Sequence, residues 1–164
     1  MTEQEFFDLV REGYNRIPLV AELPGDLETP LSVYLKLAAA PYSYLLESVV
    51  GGERFGRYSF IGLPARTVLR VRGHLLFVEQ DGKQVEEHTL LDPLAFIAEF
   101  QSRYKAAPVA GLPRFTGGLA GYFGYDTIRY IEKRLTPENN PELLAKDDAL
   151  HTPDILLMLT EELA

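Results

Sequence analysis

The segment TVLRVRGHLLFVEQDGKQVEEHT, from Thr67 to Thr89, contains the clearest indication of the fold. It is rich in β-branched and apolar residues and predicts three strands, over 67–72, 74–80 and 83–89. Asp81-Gly82 separates the last two strands, and this dipeptide is a strong signal for a tight hairpin turn. The segment therefore predicts a β-meander.

Toward the amino terminus, periodicity and capping signals predict two helices and three strands. The first helix begins with Thr2 and Glu5, a spacing typical of a capping box. The second begins at Thr29-Pro30, where proline suits the first helical position. The predicted elements are a helix over 2–14, an edge strand over 17–23, a helix after Thr29, and strands over 42–50 and 57–62.

Toward the carboxyl terminus, the pattern predicts a helix after Asp92-Pro93, a glycine-rich strand over 117–126, a short helix over 127–133 and an apolar strand over 154–160. No turn signal follows this last strand, so it is expected to form an unpaired apolar edge. Strand-rich halves interrupted by helices favour an α+β domain, a layered β-sheet with helices, over alternating βαβ units.

Composition excludes several classes of function. The 164 residues are 46% hydrophobic and 24% charged, as expected of a single folded domain. A formal charge of −8 opposes binding to nucleic acids and anionic membranes. Without cysteine and with only three scattered histidines, no metal site is predicted. The acidic start and the lack of a long apolar run favour a cytoplasmic location.

The predicted strand that ends at Tyr44-Leu-Leu-Glu-Ser48 is the first candidate site. Alternation places Tyr44, Leu46 and Ser48 on one face, and Leu45 and Glu47 on the other. Only one side chain of the polar pair can then enter a pocket, unless a bulge redirects the strand. The alternative interpretation is that Glu47 and Ser48 mark the solvated end of a strand.

Two glycine-rich segments are further candidates. In Gly51–Ser59, glycines flank Arg54 and Arg57, a combination that suits either an anion site or a surface turn but is not a P-loop. Gly117–Asp126 has four glycines, which indicate either tight strand packing or an interface. The sequence contains no nucleophile-base pattern and no paired carboxylates at a useful spacing, so no catalytic residue is predicted.

Taken together and in this order, four segments resemble the amino-terminal region of anthranilate synthase component I, a chorismate-utilising enzyme. They are Tyr14–Pro18, Pro41–Ser48, Gly56–Gly62 and Gly117–Asp126. The resemblance implies that residues 1–164 form the amino-terminal regulatory region, an incomplete half of the component I fold without the chorismate-binding part. In that family the longer subunit, a lyase, converts chorismate to anthranilate and pyruvate with Mg²⁺, and a glutamine amidotransferase subunit supplies ammonia.

The resemblance also implies feedback inhibition by L-tryptophan. The family's Leu-Leu-Glu-Ser motif corresponds to residues 45–48 and contributes to the inhibitor site, so Leu46, Glu47 and Ser48 are the expected ligand-binding residues. A basic residue of that site corresponds to Arg57, with Arg54 as an alternative. The segment alone is expected to be inactive and to bind no cofactor, and its own carboxy-terminal part should complete the site. Gly117–Asp126 is expected to face either that part or the amidotransferase.

Two other functions are weighed. Component I of aminodeoxychorismate synthase, an enzyme of folate synthesis, shares most of these motifs. A stand-alone amino-acid-binding or interaction module belongs to a different class. The expected unpaired strand over 154–160 argues against that module, because an open apolar edge promotes aggregation.

Overall fold

The structure is a computed structural model, and it describes residues 1–47, 58–136, 138–142 and 150–164. Its α-helices in these ranges are α1 (Glu3–Arg11), α2 (Pro30–Leu37), α3 (Pro93–Ser102) and α4 (Ile128–Ile131). Its strands are β1 (Tyr44–Glu47), β2 (Ser59–Gly62), β3 (Thr67–Arg72), β4 (Leu75–Gln80), β5 (Lys83–Thr89), β6 (Gly118–Phe123) and β7 (Ile155–Thr160). Short 3₁₀ turns, Tyr125–Thr127 and Lys133–Leu135, flank α4. The predicted α+β class is confirmed.

The meander forms as the sequence predicts. Strand β3 pairs antiparallel with β4, and β4 with β5, in a five-stranded sheet of order β5-β4-β3-β7-β6. Asp81 and Gly82 have φ values of 51° and 73°, as a two-residue hairpin turn requires. Glycine adopts this left-handed conformation without steric cost, which explains why the turn falls here.

Helix starts also agree with their sequence signals. Thr2 accepts a hydrogen bond from the Glu5 amide, and Glu5 accepts one from the Thr2 amide, which completes the predicted capping box of α1. Asp92 Oδ1 accepts from the Ala95 amide at 3.0 Å at the start of α3. These bonds satisfy amide donors that have no partner inside the helix.

The prediction that residues 154–160 form an unpaired edge is wrong. Strand β7 lies between β3 and β6, and its residues Ile155–Leu159 pair antiparallel with Thr67–Val71. Ile155, Leu157 and Leu159 are buried. Both neighbouring strands come earlier in the chain, so a search for a following hairpin partner could not find them.

The predicted edge strand over 17–23 is also wrong. In the described part of the chain, this region has only an isolated bridge between Arg16 and Ala106. Leu19, Val20 and Leu23 are exposed. Pro18 and Pro24 lack amide donors, and the apolar residues between them have no sheet face to cover.

The chain divides into two compact units. One contains residues 1–64, 99–118 and 160–164, and the other contains 65–98 and 119–159. The second unit includes β3, β4, β5 and most of β6 and β7, and its core contains Leu69, Val71, Leu76 and Ile155. Composition alone predicts one domain and indicates no internal boundary.

Asp154 connects α4 to the β3-β4 turn within the second unit. Its Oδ2 accepts a hydrogen bond from the Gly73 amide at 2.7 Å and lies 2.8 Å from the Tyr130 hydroxyl. That hydroxyl also lies 2.8 Å from the Gly73 carbonyl oxygen. Burial, together with the neighbouring Asp154 carboxylate, raises the pKa of Tyr130. The tyrosine therefore stays protonated and donates a hydrogen bond within this group.

None of the helices in the described ranges is both long and apolar enough to cross a membrane.

Candidate functional site

Strands β1 and β2 position the described half of the predicted site. They pair antiparallel, with Leu46 opposite Phe60 and Glu47 opposite Ser59. Directly opposed side chains share a face, and successive residues alternate between faces. Leu46 and Glu47 therefore leave opposite faces of β1, as the alternation in the sequence predicts.

The remaining predicted site residues, Ser48 and Arg57, lie outside the described residues. Arg54, the alternative to Arg57, and the glycine-rich stretch from Gly51 to Gly56 that contains it also lie outside the described residues.

The face of Leu46 is aromatic. The Phe60 ring packs edge-to-face on Phe115 with centroids 5.8 Å apart, and the Tyr58 ring lies 6.2 Å from Phe60. Leu46 itself is 52% exposed. Aromatic rings beside a partly exposed leucine form an apolar surface on which a flat aromatic ligand can pack.

On the opposite face of β1, the last pair of residues, Glu47 and Ser59, is polar. Ser59 Oγ donates to Glu47 Oε1 at 3.4 Å, which is long for a hydrogen bond between oxygens. Leu45 and Ile61 are the next pair along this face, and Ile61 is buried. The carboxylate of Glu47 thus lies on the opposite side of the strand from the aromatic surface.

Strand β2 is held on both sides. The Ile61 amide donates to the Ala164 carbonyl at 2.7 Å, and the Ala164 amide donates to the Ile61 carbonyl at 2.9 Å. On the β1 side, the Tyr44 ring covers Gly62 so closely that a Cβ at position 62 would overlap the ring. A rigid β2 fixes the position of Phe60 opposite Leu46.

Tyr44 anchors β1 through its hydroxyl. The Tyr44 hydroxyl lies 2.9 Å from Thr160 Oγ1, and burial raises the pKa of Tyr44. Strand alternation predicts the face of Tyr44 but not this anchor, because Thr160 is distant in sequence. The glycine at position 62 is the local signal that could have indicated a large ring nearby.

Close packing explains three glycines in Gly117–Asp126. A Cβ at Gly117 would lie 2.8 Å from the Thr160 carbonyl oxygen, and one at Gly124 would lie 3.0 Å from that of Asp154. A Cβ at Gly121 would overlap the Leu156 carbonyl oxygen. The tight-packing interpretation of this segment is therefore confirmed on the side that faces β7.

Comparison of the sequence with known proteins identifies the family of this chain. A scan of protein-family models finds no match. The chain is 57% identical over 161 residues to anthranilate synthase component 1 of Pseudomonas putida, which covers 98% of this chain and 31% of that protein. It is 56% identical over 164 residues to anthranilate synthase component 1 of Neisseria meningitidis serogroup B, covering 100% of this chain and 33% of that protein.

Among solved structures, the crystal structure of anthranilate synthase component I from Streptococcus pneumoniae TIGR4 is similar at 24% identity and a TM-score of 0.47. It covers 88% of this chain and 28% of that chain. The family assignment depends on the curated relatives, whose identity extends over nearly every residue of the chain. The chain spans about a third of the length of those relatives. It belongs to the anthranilate synthase component I family.

Proposed function

We propose that this chain is the amino-terminal, tryptophan-sensing part of an anthranilate synthase component I. The observation that carries the proposal is the 57% identity over 98% of the chain to a protein of that name. The whole protein would convert chorismate and ammonia to anthranilate and pyruvate. A glutamine amidotransferase, component II, would release the ammonia from glutamine.

The chemistry of that reaction is assigned to the part of the polypeptide beyond these residues. In the described ranges, no group of three or more histidine, aspartate or glutamate side chains could hold a metal ion. We place the Mg²⁺ of the reaction in that further part as well, as the family resemblance implies, so the role proposed for this chain is regulatory.

The proposed tryptophan site begins on the aromatic face of β1. The indole ring would pack on Leu46 beside Phe60, because this surface is apolar and partly exposed. Strand alternation, if it continues past Glu47, would give Ser48 the same face as Leu46, and its hydroxyl would bind the ammonium group of the ligand. Arg57 would bind the ligand carboxylate.

Glu47 would contribute to this site through its main chain. Its side chain leaves the face opposite Leu46 and accepts a hydrogen bond from Ser59. Inhibition would follow if tryptophan binds the less active arrangement of the subunit more tightly, because coupling between sites requires a difference in affinity.

Product analysis tests the proposed function. The uninterrupted reading frame that contains this chain is expressed, supplied with chorismate, Mg²⁺ and ammonium, and assayed with and without L-tryptophan. We expect anthranilate, and we expect tryptophan to suppress its formation. Aminodeoxychorismate as the product would instead assign the protein to folate synthesis.

A single substitution tests the tryptophan site. Ser48→Phe in the same protein should abolish inhibition by tryptophan and leave the basal rate unchanged, because the larger ring would occupy the ligand's position. Ser102→Phe, at an exposed serine of α3, is the matched control and should remain inhibited. Inhibition that survives Ser48→Phe would remove Ser48 from the site.

A stand-alone binding module is the competing function. The argument against it was an unpaired strand over 154–160, and that argument no longer holds because β7 is paired on both sides. Direct binding separates the two functions. The chain contains no tryptophan, so the fluorescence of added L-tryptophan reports binding when it is excited at a wavelength that the nine tyrosines do not absorb. Micromolar binding by the 164 residues, together with no product from chorismate, would favour the module.

A further inference from the structure

The two edges of the five-stranded sheet differ in chemistry. Within the described residues, β5 and β6 are the outer strands. Strand β5 carries Lys83, Glu86 and Glu87, and charged side chains are a common protection for an edge that faces water. Strand β6 reads GLAGYF and has no charge. Only the β5 edge has the composition of a solvent-facing strand.

Apolar side chains are exposed on both faces of β6. Tyr122 and Phe123 are successive residues and therefore point to opposite faces, and both are exposed. Phe123 is 53% exposed, and Tyr125, just beyond the strand, is 94% exposed. Ile131 of α4, which follows in the chain, is also exposed. Such a surface beside an open strand edge is typical of an interaction site.

We propose that a strand from the part of the component I polypeptide that these 164 residues do not contain pairs with the outer edge of β6 and covers Tyr122 and Phe123. This inference rests on the proposed function, and it names the occupant of that edge. The relatives support it, because this chain spans 31% and 33% of two of them and leaves a long further segment.

Charge and tethering favour this occupant over two others. A second copy of this chain would bring together two bodies that each carry a formal charge of −8, which opposes association. A segment of the same polypeptide is present at an effective concentration that can reach about the millimolar range, whatever the protein concentration. A separate subunit would leave the edge open whenever it dissociates.

Cysteine labelling tests the proposal in the full-length component I. The 164 residues contain no cysteine, so Phe123→Cys introduces one reporter on β6 once any cysteines elsewhere are replaced by serine. Val85→Cys on β5 is the matched control, since Val85 and Phe123 are each 53% exposed. Each labelling rate is divided by the rate of the same variant unfolded in guanidinium chloride.

After this normalisation, we expect the thiol of the Phe123→Cys variant to react at least roughly ten times more slowly than the thiol of the Val85→Cys variant. We expect this difference without component II and at any protein concentration. Equal rates would overturn the proposal. So would protection that appears only when component II is added, or only as the protein concentration rises, since these results identify the partner subunit or a second copy as the occupant.

Amide hydrogen exchange of the unmodified protein gives the same test without a substitution. Amides of residues 119–124 should exchange more slowly than those of residues 84–89, because a paired edge has few amides open to water. Anthranilate formation is measured separately. An active enzyme with a fast-exchanging β6 would refute this inference and leave the proposed function intact, whereas a protected β6 in a protein that makes no anthranilate would refute the function.

Discussion

Replacing Gly121 by alanine tests the close packing of β6 on β7. A Cβ at position 121 would overlap the carbonyl oxygen of Leu156, which belongs to the backbone of a central strand and has little freedom to move. Gly121 also has a φ of 157°, a conformation that residues with a side chain rarely adopt. Both effects oppose the folded state of the alanine variant.

Gly118→Ala in the same strand separates the two effects. Gly118 has a φ of 117°, but no described atom lies within 4 Å of a Cβ built there. Backbone strain of about 1–3 kcal/mol, reduced by about 0.4–1 kcal/mol from the less flexible unfolded chain, leaves a net cost of about 1 kcal/mol for Gly118→Ala. Overpacking adds about 2 kcal/mol for Gly121→Ala, which brings its cost to about 3 kcal/mol.

Urea unfolding followed by far-ultraviolet circular dichroism measures both variants. In thermal unfolding, the same difference of about 2 kcal/mol between the two variants corresponds to a gap of roughly 4–8 °C in Tm for a chain of this size. Gly25→Ala, at an open position without positive φ, should be close to neutral. Equal losses for Gly121→Ala and Gly118→Ala would show that β6 does not pack on β7 as described.

The remaining predictions concern hydrogen bonds and ionisation. Tyr130→Phe should cost about 1–3 kcal/mol in urea unfolding, because the Asp154 carboxylate and the Gly73 carbonyl lose their contact with the hydroxyl; a loss below the error of the assay would contradict this. Because the pKa of Tyr130 is raised in the folded protein, the protonated hydroxyl contributes stability that is fully present below pH 10, the ordinary pKa of tyrosine, and is lost as the pH rises further. The wild type should therefore lose more stability above pH 10 than the Tyr130→Phe variant. Parallel alkaline profiles would rule out that linkage. Asp92→Ala should cost about 1 kcal/mol by removing the cap on the Ala95 amide, and an unchanged urea midpoint would refute that role.

Much of the proposed site could be predicted locally. The opposite faces of Leu46 and Glu47 follow from strand alternation and need no tertiary information. The aromatic surface could not be predicted in this way, since Phe115 reaches Phe60 across a long sequence separation. The glycines of Gly117–Asp126 indicated a close approach, and the structure identifies β7 as the neighbour.

Local patterns in the sequence predict the elements whose signals lie within a few residues. The β3-β4-β5 meander follows from alternation and the Asp81-Gly82 turn, and the starts of α1 and α3 follow from their capping residues. Each of these depends on hydrogen bonds between near neighbours, so the local pattern contains the information.

Contacts between distant segments become visible only in the folded chain. The apolar pattern of Ile155–Thr160 predicts a strand but not its place between β3 and β6, and Ile17–Leu23 has a strand-like composition without a sheet to join. The pairing of distant strands depends on which other elements cover the buried faces of each strand. This is a property of the whole fold, so a short stretch of sequence does not specify it.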